Sequence, residues 1–260
     1  MATSTKNVIV GAASLFVSAG NSSNAAGRPA TDKTALSTLL PANTSARTGL
    51  LQSSLYREVG YTSTGLEVSY EPSYGEVMVD QLLDAARLFK QTLKVMLKTE
   101  LTEATLENLQ FSWGQLDNVY VANATNSVVN VSTLVNNDSS VNSTPDTPAA
   151  VLNMAAGALG DAPVERTLIA VGQAPAQIGT SVSVTNPGGS TGVGSVTSVS
   201  RSKERVYVAR RVVSIDTTMH AMKRDSATVF PVNFRCLPDS DTAYAGAEYG
   251  VVIDRVYGTV

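Results

Sequence analysis

Apolar and polar residues alternate through much of this chain, with the period of a β-strand. Leu66, Val68 and Tyr70 alternate with Glu67, Ser69 and Glu71. Beyond Pro72, Tyr74, Glu76, Met78 and Asp80 alternate with Gly75, Val77, Val79 and Gln81. Period 2 marks a strand whose two faces meet different surroundings. The two runs read as a hairpin, residues 64–81, around a Gly-containing turn. Residues 82–89 read as a helical turn or loop. Leu93, Val95, Leu97 and Leu101 then recur on odd positions and predict a longer third strand. Lys90, Lys94 and Lys98 would also share one face of a helix, but the two-residue apolar period favours the strand.

One segment changes period. Leu106, Leu109 and Trp113 fall three and four apart and predict a helix over 103–113, its apolar stripe packed on a sheet. Thr102 is the expected N-cap and Glu103 the first-turn carboxylate. Gly114 is the expected stop. Further strands are expected at 7–18, 165–172, 205–216, 227–235 and 250–257, with a short one within 50–60. Minor strands at 181–185 and 193–199 would flank the turn at 186–190. Strands dominate, so the expected class is mainly β: a sandwich or barrel with one flanking α-helix. The chain reads as a single domain, 1–260. It carries an extended arm at 19–50 and peripheral insertions at 117–160 and 173–204, where Gly, Ser, Thr and Asn replace charge.

Composition narrows the chemistry. Lys and Arg number 19 against 22 Asp and Glu, and charged residues make up 16%. A nucleic-acid clamp carries a basic excess, and this chain has none. Its one cysteine, Cys236, allows no intrachain disulfide and no thiolate zinc cluster, and reads as a buried structural thiol. His220 is the only histidine. Lys6 followed by the apolar stretch 8–19 faintly resembles a secretion signal, but Gly11, Ser14 and Ser18 interrupt it, so a first strand is expected. No run approaches the ~20 apolar residues of a membrane-spanning helix.

Candidate catalytic patterns are thin. Gly188-Gly189-Ser190-Thr191-Gly192 matches G-x-S-x-G, with His220 as the available base. A hydrolase elbow needs a buried strand before the serine and a helix after it, and Asn186-Pro187 and the residues that follow predict neither. Asn-x-Ser/Thr sequons at Asn21, Asn43, Asn123, Asn130, Asn137 and Asn142 read as chance products of Asn-, Ser- and Thr-rich loops. The carboxylates Glu67, Glu71, Glu76 and Asp80 lack the aromatic platforms of a glycosidase cleft. The expectation is therefore a protein that is not an enzyme and needs no cofactor or metal.

Several segments carry a family resemblance. They are Gly60-Tyr61-Thr62 through Gly65-Leu66-Glu67-Val68-Ser69-Tyr70, then Val79-Asp80-Gln81, and Thr102-Glu103-Ala104-Thr105-Leu106-Glu107-Asn108-Leu109. Toward the end come Ala227-Thr228-Val229-Phe230-Pro231-Val232-Asn233-Phe234-Arg235-Cys236-Leu237-Pro238-Asp239 and Tyr249-Gly250-Val251-Val252-Ile253-Asp254-Arg255. In order and spacing these resemble the major tail tube proteins of long-tailed bacteriophages, particularly those of actinobacteria, and Gly11-Ala12-Ala13-Ser14-Leu15-Phe16-Val17 also fits. The insertions at 117–160 and 173–204 depart from that pattern. The resemblance implies a β-sandwich tile with a flanking helix, closing into homohexameric rings that stack into a hollow tube. It implies a virion protein assembled in the host cytoplasm, with no membrane insertion. Its partners would be other copies of itself, tape-measure and terminator proteins, and DNA that passes without tight binding. A secreted or surface β-sandwich adhesin or coat module is the alternative.

On the tube reading, one face of the 64–81 hairpin has a proposed role. Glu67, Glu71, Glu76 and Asp80 are expected to share it, and no Lys or Arg lies between residues 58 and 86. Such a face would line the lumen and repel phosphates.

Overall fold

The computed structural model describes residues 11–18, 40–41, 43–53, 55–78, 87–115, 120–121, 151–152, 154, 159, 163–175, 202–215, 219, 222, 224–225 and 227–257. The chain is mainly β. The strands are β1 (Ser14–Ser18), β2 (Tyr56–Glu58), β3 (Glu67–Val77), β4 (Arg87–Leu101), β5 (Tyr120–Val121), β6 (Val151–Leu152), β7 (Arg166–Gln173), β8 (Ser202–Ser214), β9 (Phe230–Cys236) and β10 (Gly250–Tyr257). Two short helices join them, α1 (Ala46–Leu51) and α2 (Leu106–Ser112).

Eight strands make one antiparallel sheet in the order β2-β1-β7-β8-β9-β4-β3, with β10 also on β8. β8 is the pivot. Its first part, Ser202 to Ala209, pairs with β10. Its last residues, Val212 to Ser214, pair with β9. The sheet therefore splits into two branches that fold over each other as a sandwich. One core cluster joins them: Leu15, Leu168 and Ala170 from the first branch meet Leu97, Val232 and Phe234 from the second. Strand chemistry explains the placement. In β9, Phe230, Val232, Phe234 and Cys236 are buried, while Pro231 and Arg235 are exposed. In β7 both faces are buried from Arg166 to Val171, as a central strand requires.

A second cluster lies on the outer face of the first branch. Phe16, Ile169, Val206 and Val208 are covered there by Ala46 and Leu50 of α1 and by Leu40. Residues 40–41 and 43–51 thus belong to the body of the domain, which corrects the expectation of an arm running to residue 50; residues 19–39 and 42 lie outside the described residues. The cover is tied down by charge. Glu204 Oε1 accepts from the Ala46 N–H at 2.8 Å and from Arg255 Nε at 2.5 Å. Arg255 also donates to the Pro41 and Thr44 carbonyls at 2.8 and 2.9 Å. Arg255 and Glu204 side chains are only 13% and 5% exposed, so each depends on the other for charge compensation.

α2 closes one end of the sandwich, but starts later than expected. Its N-cap is Thr105, whose side chain accepts from the Asn108 N–H. Glu103 is drawn out of the helix to receive the Tyr61 N–H at 3.1 Å, and Glu107 takes the first-turn position. The buried face also differs. Leu106, Leu109 and Trp113 are only half-buried, whereas Asn108 and Phe111 are buried. Phe111 stacks on Phe234 with centroids 4.8 Å apart. Asn108 bridges Arg57 and the Val59 and Glu103 carbonyls at 2.8, 2.8 and 2.9 Å. The helix stops as expected. Gly114 has φ 64°, and the bonds Gly114 N–H to Phe111 O and Gln115 N–H to Gln110 O complete a Schellman turn.

The remaining strands match expectation closely: β7, β8, β9 and β10 stand within three residues of the ranges read for them. β5 and β6 pair with each other inside the 117–160 insertion. The minor strands expected at 181–185 and 193–199 lie outside the described residues.

Removing one partner of a buried ion pair leaves the other uncompensated and costs about 3–5 kcal/mol. Glu204→Ala is therefore expected to lower unfolding free energy in urea by roughly that amount. Glu67→Ala, at an exposed position, should change it by no more than about 0.5 kcal/mol.

Candidate assembly surface

Ser190 and His220, the only nucleophile and base pairing suggested by the sequence, lie outside the described residues. No group of three or more metal-type ligands occurs among the described residues. Cys236 is buried on the inner face of β9. Burial pushes its thiol up to about 11, which makes it inert as a nucleophile at neutral pH.

The acidic hairpin is a different object from the one expected. Residues 67–77 form a single 11-residue strand, with Pro72 inside it and no turn. Its partner is β4, which begins at Arg87, so 87–89 are strand and not the end of a helical turn or loop. An edge strand tolerates a proline because no neighbour needs its missing N–H. In one continuous strand the side chains alternate, so Glu67 and Glu71 share a face with Ser69, while Glu76 points the other way with Tyr70 and Tyr74. Asp80 lies outside the described residues. The expected four-carboxylate face is therefore not formed.

The face is not purely acidic either. β4 places Lys98 opposite Glu67 and Lys94 opposite Glu71. Arg235 on β9 stands opposite Met96. A shallow cleft of about 310 Å³ gathers these side chains, lined by Glu67, Glu71, Lys94, Lys98 and Arg235. The sequence gap in basic residues, 58 to 86, is filled by strand pairing.

The more informative surface is the far end of the same two strands. β4 pairs with β9 only from Met96 to Leu101. From Arg87 to Val95 its sole strand partner among the described residues is β3. A two-stranded ribbon about 25 Å long, at ~3.3 Å per residue, thus extends past the three-stranded part of this branch. Its side chains are exposed on both faces and many are apolar: Tyr70 61%, Tyr74 58%, Met78 62%, Leu88 60% and Phe89 46% exposed. A register shift between Ser73 and Tyr74 leaves Gln91 as an extra residue on β4, a bulge that twists the ribbon. Gly75 sits beneath the Phe89 ring and the Gln91 amide, where a Cβ would fall 2.6 and 2.5 Å from their atoms. A two-stranded ribbon alone is marginally stable in water, and exposed apolar rows on an edge strand favour pairing with another chain.

At the ribbon's base an apolar cleft of about 300 Å³ opens between the two branches of the sandwich. Val68, Tyr70 and Val95 form one wall, and Tyr207, Tyr249 and Val252 form the other. The ribbon was missed in the sequence because Pro72-Ser73-Tyr74-Gly75 has turn composition. The usable signal was the even-numbered row Leu66, Val68, Tyr70, Tyr74, which continues unbroken in phase through Pro72. No family model and no curated protein matches the chain. Among the described residues no helix is long and apolar enough to cross a membrane.

Native protein is expected to resist a thiol reagent at pH 8 and to react fully once unfolded in urea. Because the folded thiol keeps its proton to about 11 and the unfolded one loses it near 8.5, unfolding gains between those values. Stability should fall as pH rises through that window, by up to ~1.4 kcal/mol per unit. Cys236→Val should flatten the slope, measured as unfolding midpoint against pH.

Proposed function

We propose that this chain is a structural tile that self-associates into closed rings stacking as a hollow tube, the tail tube of a long-tailed phage. The observation that carries self-association is the β3–β4 ribbon, with its exposed aromatic and aliphatic rows and an edge that no strand pairs among the described residues. Hexameric closure, the tube, and passage of DNA rest on the resemblance of the tail-tube-like segments. On this reading the protein is not an enzyme and uses no cofactor. Its partners are its own copies and the other proteins of the tail, with DNA moving through the lumen unbound.

The lumen wall is revised with it. If the outer face of β3, β4 and β9 lines the tube, Glu67 and Glu71 stand there beside Lys94, Lys98 and Arg235. Two carboxylates against three cations leave one net positive charge, and its field is screened beyond ~8 Å at physiological salt. Such a wall neither grips phosphate nor repels it strongly. A lumen of this kind allows passage because it makes few net cationic contacts, each of which would add to DNA affinity.

Negative-stain electron microscopy of the purified protein across a concentration series tests the reading. Rings with six-fold symmetry, or tubes built from them, are expected as concentration rises. Particles that stay monomeric throughout would refute it and favour a free surface module.

A further inference from the structure

The inner face of the ribbon carries one anion and one cation among apolar side chains. Strand alternation puts Tyr70, Pro72, Tyr74 and Glu76 of β3 on that face, continuing from Val68. Their cross-strand partners share it: Pro72 stands opposite Leu93, Tyr74 opposite Lys90, and Glu76 opposite Leu88. Tyr74, Glu76, Leu88 and Lys90 are all exposed. Arg87, Phe89 and Val77 lie on the other face. Lys90 donates to Tyr70 Oη at 3.2 Å, and its Nζ stands 5.4 Å from the centre of the Tyr70 ring. Among the described residues neither Lys90 nor Glu76 forms an ion pair. Glu248, which lines a cleft with Lys90, accepts the Gly246 N–H at 2.7 Å instead.

The surface that fits such a face is the face itself. Consider a two-fold axis in the plane of contact, between the Tyr74–Lys90 and Glu76–Leu88 pairs. Turning about it brings Glu76 of each copy beside Lys90 of the other, so the contact holds two ion pairs. Tyr74 and Leu88 of both copies fill its centre. An ammonium has three donors, so Lys90 keeps Tyr70 Oη while it meets the carboxylate. We propose that the chain forms a closed two-copy pair in which the inner ribbon faces stack on each other in this way. The contact is isologous, so it uses up the face and does not propagate. Two ribbons stacked ~10 Å apart make a four-stranded sandwich, which gives each the cover that a lone ribbon lacks. A face ~25 Å long and two strands wide presents roughly 250 Å² of projected area. A stable complex buries ~800 Å² per partner, so the pair is reversible. The inference goes beyond the tube reading: a closed, reversible pair is a store of subunits held out of the stacked assembly.

Sedimentation equilibrium of the full chain tests it, read as the dissociation constant of the two-copy species. Glu76→Lys and Lys90→Glu are each expected to raise that constant at least ten-fold, because each sets like charges together at both ends of the contact. The double variant exchanges the signs, restores both pairs and should recover most of the loss. Arg87→Glu, on the other face, should leave the constant unchanged. Circular dichroism should show every variant folded, since all three side chains are exposed. Hydroxyl-radical footprinting of the two-copy species is the second readout: Tyr74 and Leu88 should be shielded, and Phe89 and Val77 should not. Single reversals that pair like wild type would overturn the contact. So would a double variant no better than the singles, an Arg87→Glu effect as large as theirs, or shielding of Phe89 in place of Tyr74. Wild-type protein that passes from monomer to rings with no two-copy species would also overturn it, while leaving self-association standing. Wild-type protein that stays monomeric would overturn both.

Discussion

The fold depends on β8 changing partners along its length. Its 13 residues pair first with β10 and then with β9. That single exchange splits one sheet into two branches and lets them close over Leu97, Leu168, Val232 and Phe234. Fully burying side chains of this size contributes about 1.5–3 kcal/mol each. The cost appears at the margin: where the branches part, Val68, Tyr70 and Val252 are left at the mouth of an apolar cleft. The ribbon begins at the same place, because β9 ends before it can pair with the rest of β4. Core, cleft and ribbon are thus consequences of one strand's geometry.

The parts of this architecture that alternation controls were legible. β9 stands almost where period 2 places it, because it buries one face and exposes the other; β10 stands where it is expected too, though its residues are only half-buried or exposed. The Gly114 stop was legible because a left-handed residue after a helix favours glycine. The helix start was not. Thr102 and Thr105 are equally good caps in isolation, and the choice was made by Glu103 turning to the Tyr61 amide, a contact across 42 residues. The same holds for α1. Its cover of Phe16 and Ile169 is fixed by Glu204 and Arg255, which lie more than 150 residues downstream. Within 19–50 nothing in the local composition announces that partner.

The acidic surface shows the same limit more sharply. A carboxylate row free of basic neighbours in sequence becomes a mixed-charge face once β4 lies alongside, since Glu67 meets Lys98 and Glu71 meets Lys94. Sequence neighbours describe one strand; electrostatics belongs to the sheet. Pro72 compounded the error by suggesting a turn, where an edge strand simply accommodates it. What alternation could not reveal is also what gives the surface its character: a ribbon exposed on both faces, rich in apolar side chains, and without a third strand among the described residues.

The central claim is that this ribbon is ordered by another copy of the chain. Amide hydrogen exchange measured against protein concentration tests it most directly. In dilute protein the amides of Tyr70–Val77 and Arg87–Val95 should exchange fast, while those of β7 stay protected. Raising the concentration should slow the ribbon amides by at least an order of magnitude and leave β7 unchanged. Ribbon exchange that is independent of concentration would contradict the account.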